Sequence, residues 1–407
     1  MIPLTYDILL VLMLFVLYKS GKQIAMNGTI GSIAGIMAIL VYTLNEGLRF
    51  GRGIDYNLYG MEYGELEAGR ESNWDVSFQY IAKFLINLGV PWQGYVLLMS
   101  FVFIFAVILF MKNYREVLPF ALPLFVLFSM GNVENMVRWY MGFSFILIGL
   151  SFLLEGGEKA CQKFCFFTVI ACTFHLALLP LPVVFYLLYR REKVLLSPVW
   201  VFILYFGIGF SFQTAFMMRF VELANIMGMM LGGVSERLQN YSDDAEYWLT
   251  GGFAGSGPRS AFPRIQELLC LLCIVWLGYK AIKGAGKKYI FAYNIFVIGF
   301  LTNPIAIQIE LIGRYNAPFM FFRAIVLACI IKHIYVDKTI YVQQMAWLLS
   351  ILLIINMGRI ILVTPFRTEP EKFLYVWNSN GRTYESMYDM WINDMYWGDS
   401  KIRGDDR

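Results

Sequence analysis

Two asparagines, a glutamate and an arginine interrupt an otherwise apolar run from Val117 to Leu154, in the stretch GNVENMVRWYMGF at residues 131–143. An arginine near a bilayer core costs about 2.5–3.5 kcal/mol on insertion scales, so Arg138 is a candidate for function before it is a candidate for packing. Its planar fork of donors fits a phosphate or a carboxylate. The plainer alternative is a guanidinium that snorkels to headgroups or pairs with Glu134, four residues earlier. His175, in ACTFHLALLPLP, is one of two histidines and has apolar neighbours. An imidazole there can take a proton as general base or donate to a phosphate oxygen, or serve as a structural hydrogen-bonder. QIELIGRYNAPF (308–319) repeats the Arg138 arrangement with Glu310, Arg314 and Tyr315. Arg49, Arg52, Asp55, Tyr56, Tyr59 and Tyr63 crowd into LRFGRGIDYNLYGMEY (48–63), a set that can hold a phosphorylated sugar or form an interfacial belt. Arg237 and Tyr241, in GVSERLQNYSDDAEYW, are further candidate ligands. For Arg219, Arg323 and Arg359, set in apolar sequence, the sequence does not separate function from snorkelling.

These residues need a membrane around them, and composition supplies one. The 407-residue chain is 58% hydrophobic, 17% aromatic and 15% charged, with a mean hydropathy of +0.59. A soluble chain carries about 25% charge. Segments such as GYVLLMSFVFIFAVILFM (94–111) run eighteen residues without a charge, about 27 Å as a helix and close to the hydrocarbon thickness. The first apolar segment has neither a basic region before it nor a small-residue cleavage site after it, and is read as a retained span. The six cysteines lie in apolar segments or at their basic ends, which argues against a disulfide framework, and the Cys270/Cys273 pair reads as helix packing. No metal cluster, phosphate loop or nucleic-acid motif is present, and a net charge of +4 is too dispersed to imply nucleic acid.

Short cytoplasmic loops collect lysine and arginine, so the basic clusters assign sides. Keeping Lys19/Lys22, Lys112/Arg115, Lys159/Lys163, Arg190/Arg191/Lys193, Lys280 to Lys288 and Lys332/Lys338 inside predicts an all-α polytopic domain over 1–407. It has about 12 transmembrane helices, with both termini outside. The expected spans are 2–18, 29–45, 94–111, 117–131, 137–154, 164–175, 176–189, 196–214, 265–282, 288–307, 313–331 and 338–360. The 26 residues of 164–189 are too few for two full spans of about 20 residues each. They predict a pair of short helices with His175 at the apex. Residues 76–90 predict a helix lying in the outer interface. The long outer segments are 46–93, 215–264 and the tail 361–407. On this map 12 lysines and 3 arginines lie inside, against 3 lysines and 15 arginines outside. Positive charge alone does not require that contrast; an outer anionic ligand held by guanidinium does.

The order GIDYNLY, VENMVRWYMGFSFILIGLSFLL, EGGEKACQKF and FFTVIACTFHLALLPLPVVFYLL resembles the EpsG family of bacterial exopolysaccharide and capsule proteins, related in role to Wzy-type O-antigen polymerases. The resemblance is best over 48–190, with a G-x-D-Y-x-x-Y element at Gly53 to Tyr59, an N-x-x-R at Asn135 to Arg138, and Phe174-His175; GRYNAPFMFF resembles a later element of the family. Trp139 stands where the family commonly has glutamine. The resemblance implies a metal-independent glycosyltransferase without a cofactor, joining undecaprenyl-pyrophosphate-linked oligosaccharides at the outer face of the bacterial inner membrane. It implies catalytic roles for Arg138, His175 and Arg314; with the residue reading above, the expected substrate-binding residues are Arg49, Arg52, Asp55, Tyr59, Arg237, Tyr241 and Tyr315. A chain-length regulator and a flippase would be its partners. The rival readings are a lipid-linked oligosaccharide flippase, a membrane acyltransferase and a non-catalytic scaffold of an export complex.

Overall fold

The computed structural model describes residues 2–71, 74–211, 261–307, 309–336, 339–358 and 370–392. Its helices, in chain order, are α1 (Ile2–Asn27), α2 (Ile33–Gly47), α3 (Ile54–Glu67), α4 (Val76–Asn87), α5 (Trp92–Met111), α6 (Leu118–Asn135), α7 (Val137–Glu155) and α8 (Ala160–Phe174). After them come α9 (Pro180–Tyr189), α10 (Pro198–Ser211), α11 (Ala261–Ile282), α12 (Lys287–Ala306), α13 (Glu310–Phe321), α14 (Arg323–Val336) and α15 (Ile340–Gly358). One ladder interrupts the all-α pattern: β1 (Arg49–Phe50) pairs antiparallel with β2 (Leu374–Tyr375).

The described residues do not confirm twelve full spans. Among the described residues six helices are long and apolar enough to cross a membrane, one of them the run Ile312–Ile334 made by α13 and α14 together. Five more apolar helices have 10–17 residues. Length is the physical reason: 15 residues of helix rise about 22 Å, short of a hydrocarbon core of about 30 Å. α6 falls outside both groups because its last turns carry Asn132, Glu134 and Asn135. The stretch 164–189 folds as expected for a short pair: α8, a 3₁₀ turn at Leu176–Leu178, and α9, with His175 at the junction.

A continuous apolar core fills the bundle and draws on α1, α5, α6, α7, α11, α12 and α14. The outward faces stay apolar, as Leu4, Ile8, Val11, Leu12 and Phe15 on α1 illustrate. Such a face belongs against hydrocarbon. The lysine clusters gather at one end. There Lys112 pairs with Glu155 at 2.7 Å, Lys287 with Glu192 at 3.5 Å, and Lys332 with Glu116. Lys288 Nζ donates to the carbonyl of Asn113 at 2.6 Å.

The opposite end carries α3, α4, the β1–β2 ladder and the residues 370–392. Beneath α3 and α4 lies a separate aromatic cluster that includes Tyr56, Tyr63, Trp74, Phe78, Trp92 and Tyr95. α4 buries Phe78 and Ala82 against it and exposes Tyr80 and Phe84, with Leu88 exposed just past its end, the division expected of a helix lying at an interface. The helical turns at 384–392 close over the first loop: Met387 packs on Gly51, Tyr384 on Gly60, and Trp391 Nε1 donates to the Gly51 carbonyl at 2.7 Å.

Candidate functional site

One residue joins α6 to α7. Met136, at φ −90° and ψ 58°, ends the first helix and caps the second. Glu134 and Arg138 are four apart in sequence but stand on different helices, so the ion pair weighed from their spacing does not form. Glu134 accepts instead from Arg52 Nη1 at 2.8 Å. Arg138 Nη1 lies 3.2 Å from Asp75 Oδ2, at the N-terminus of α4.

Around Arg138 the chain assembles a compact polar and aromatic group. The guanidinium sits 5.4 Å from the centre of the Tyr59 ring, which α3 presents. Its Nε is buried without a hydrogen-bond partner. Burial pushes the Tyr59 phenol up to about 12, and the positive charges of Arg138 and Arg314 pull the other way. Arg314 therefore acts on the same phenol from α13. Trp139, the next residue on α7, is 4% exposed and meets two rings edge-on: His175 at 5.0 Å and Tyr315 at 5.2 Å between ring centres. Tyr315 Oη donates to the carbonyl of Ala177 at 2.7 Å, which ties α13 to the turn after His175. Ser77 and Thr173 hydroxyls, 2.7 Å apart, tie α4 to α8.

A second cluster lies beside the first. Arg52 is 2% exposed and stacks on Tyr6 at 4.8 Å and Tyr375 at 4.5 Å. Tyr375 Oη donates to Asn45 Oδ1 at 2.9 Å, and Asn45 Nδ2 to Glu46 Oε1 at 2.7 Å. Arg49 is equally buried, lies over Tyr56, and donates from Nη2 to the Glu134 carbonyl at 3.4 Å. Arg52 and Glu134 also line a cavity of about 290 Å³ with Lys372 and Trp391. Gly53 links the clusters. It holds φ 103°, and a Cβ there would fall 2.8 Å from Asn135 Cα. Asn135 Oδ1 accepts from the backbone N–H of Asp55 at 3.0 Å, which seats α3 on the α6–α7 turn.

Arg138, His175, Tyr59, Arg314 and Tyr315 are thus brought together, with Asp55 acting electrostatically on Tyr59. Arg49 and Arg52 are not part of that group; they belong to the buried ionic cluster. Arg237 and Tyr241 lie outside the described residues. Sequence reading missed Asp75, Glu46, Lys372 and Tyr375. Asp75 precedes α4 as a preferred helix-capping residue, the one local signal that could have marked it. The departure at Trp139 puts an indole between His175 and Tyr315 where the family commonly has an amide.

A bundle of apolar helices with cationic and aromatic side chains collected at one end, and lysines at the other, defines a multi-pass membrane protein. The chain belongs to the EpsG family, whose model matches residues 32–368, and is an exopolysaccharide-related membrane protein. The match reaches beyond the 48–190 region to take in α13. No curated protein and no solved structure matches the chain.

Proposed function

We propose that this protein is a polymerase that joins undecaprenyl-pyrophosphate-linked oligosaccharide repeat units at the outer face of the bacterial cytoplasmic membrane. The observation that carries the reading is the gathering of Arg138, Arg314 and His175 at the end of the bundle opposite the lysines. With the lysine-rich end in the cytoplasm, this group faces out, and so do Tyr6 and the residues 370–392.

In the proposed reaction the hydroxyl of an acceptor sugar attacks the anomeric carbon of a donor glycan. The new C–O bond forms as the bond to the pyrophosphate oxygen breaks, and the electron pair leaves with the polyprenyl pyrophosphate. Charge grows on the leaving oxygens, where the guanidinium groups of Arg138 and Arg314 stabilise it. The acceptor proton passes to His175, held edge-on to Trp139. Asp75 neutralises Arg138 until the pyrophosphate takes its place, and Tyr59, neutral at physiological pH, supplies a ring for the guanidinium to rest on.

The test is the fate of lipid-linked repeat units in cells that express Arg138→Ala at the normal level. Single units exposed outside, with no long polymer, are expected. Units trapped inside would mark a flippase, and long polymer from both Arg138→Ala and Arg138→Lys would remove Arg138 from the chemistry.

A further inference from the structure

Arg323 stands at the midpoint of the run Ile312–Ile334, with eleven residues on either side. A charged side chain inside an apolar run is costly and calls for local polar partners. The helix breaks there: α13 ends at Phe321, and Phe322 N–H bonds back to the Phe319 carbonyl at 3.2 Å. The guanidinium lies 4.1 Å from the centre of the Phe128 ring and 4.0 Å from Glu267 Oε1, and its Nε is buried without a hydrogen-bond partner. Arg323 and Glu267 line a cavity of about 230 Å³ together with Asn132, Asn303, Asn316 and Phe128.

This lining differs in kind from the Arg138 group. Arginine and glutamate cancel in charge, and three carboxamides add donors and acceptors in equal measure. Asn316 Nδ2 already donates to Asn303 Oδ1 at 3.3 Å, and its Oδ1 accepts from the Thr302 hydroxyl at 3.1 Å, so the amides of Asn303 and Asn316 orient each other. A neutral, polyhydroxylated ligand matches such a surface, with its C–H face against Phe128; a phosphate does not. Pockets for drug-sized ligands start near about 300 Å³, so this one suits a single sugar ring. Its position relates it to the first site. On α13, Gly313 and Asn316 line the cavity while Tyr315 meets Trp139, and on α6 Asn132 lines it six residues before Arg138.

We propose that the Arg323 cavity is a saccharide subsite that takes one neutral sugar ring of a glycan strand whose neighbouring sugars reach the Arg138 group. The inference rests on the polysaccharide reading for the strand, and it does not require Arg138 to be catalytic.

Saturation-transfer NMR on the full chain in lipid nanodiscs, with methyl glycosides of glucose, galactose and N-acetylglucosamine as probes, tests it. At least one glycoside should take up saturation at its ring protons. The signal should fall roughly fivefold in Asn132→Leu and in Arg323→Met, each of which removes hydrogen-bonding groups from the lining. It should persist in Arg138→Ala and in the presence of inorganic pyrophosphate. Asn132→Leu removes an amide without removing a charge and guards against misfolding of the Arg323 variant. The subsite is overturned if no glycoside is saturated, if both variants match wild type, or if pyrophosphate displaces the glycoside. The two readings separate cleanly. Loss of long polymer in Arg138→Ala without any glycoside signal sinks the subsite alone, while a cavity-dependent signal with normal polymer from Arg138→Ala sinks the polymerase alone.

Discussion

Arg138 leans onto Asp75, 3.2 Å away on a different helix, and turns from Glu134, its sequence neighbour. The pair is partly exposed, at 14% and 20%, so it is a contact that a competing anion can displace. Asp75→Asn removes the charge and keeps a residue favoured at a helix N-terminus. Inorganic pyrophosphate should then bind the purified protein about fivefold more tightly, the equivalent of roughly 1 kcal/mol for a partly exposed ion pair. Unchanged or weaker binding in calorimetry would show that Asp75 does not compete with the anion.

The Arg52–Glu134 pair predicts the opposite kind of result. It is buried, with Arg52 2% exposed, so Glu134→Gln or Arg52→Met alone removes one charge from a buried cluster that also holds Glu46 and Arg49 and leaves it out of balance. Each should destabilise the protein by about 3–5 kcal/mol. The double variant should recover a good part of that loss. Thermal unfolding of the four proteins in detergent measures the coupling, and strictly additive losses would mean that the two side chains act independently.

Gly53→Ala strikes the joint between the first loop and the α6–α7 turn. The backbone at φ 103° disfavours a side chain, and the new Cβ would meet Asn135 at 2.7 Å from Oδ1. The strain should cost about 1–3 kcal/mol. Proteolysis around residues 49–54 should quicken as α3 lifts from its seat, and a cleavage rate equal to wild type would contradict the close approach.

Tyr59 gives a pH dependence with a defined sign. Burial raises its phenol to about 12, against about 10 in an unfolded chain. Its contribution to stability is complete below pH about 10 and drains away as the pH rises toward 12, because only the unfolded chain ionises there. Wild type should therefore lose stability more steeply than Tyr59→Phe over that interval, and parallel curves would mean that the phenol is solvated.

Trp139→Phe keeps an aromatic edge between His175 and Tyr315, whereas Trp139→Ala leaves a void at a residue 4% exposed. The alanine variant should lose about 3–5 kcal/mol. The phenylalanine variant should retain most of the stability and yield polymer of wild-type length. Equal defects in both would assign the indole N–H a role that its ring contacts do not reveal.

The parts of this molecule that were readable in the sequence are those fixed by a single segment. An uninterrupted apolar run such as 94–111 determines a helix by itself, and 26 residues between basic clusters left room only for short helices around His175. Side-chain partners follow another logic. Glu134 and Arg138 look like helical neighbours at spacing four, but that rule needs one continuous helix, and Met136 breaks it. The true partners come from afar: Arg52 is 82 residues from Glu134, and Tyr375 is 330 residues from Asn45. No local pattern encodes such separations. Arg323 is intermediate. Its place in an apolar run flagged it, yet only the folded arrangement of α6, α11, α12 and α13 shows the carboxamides that surround it.

The strap made by residues 370–392 also sets an order of events during biosynthesis. Gly51 waits for Trp391 across 340 residues, so the roof of the Arg52 cluster leaves the ribosome long after the helices below it have been inserted. Until Tyr375 arrives, a buried arginine lacks one of its two aromatic neighbours. A chain whose translation stops early can therefore build most of the bundle and still present an unfinished surface at this end.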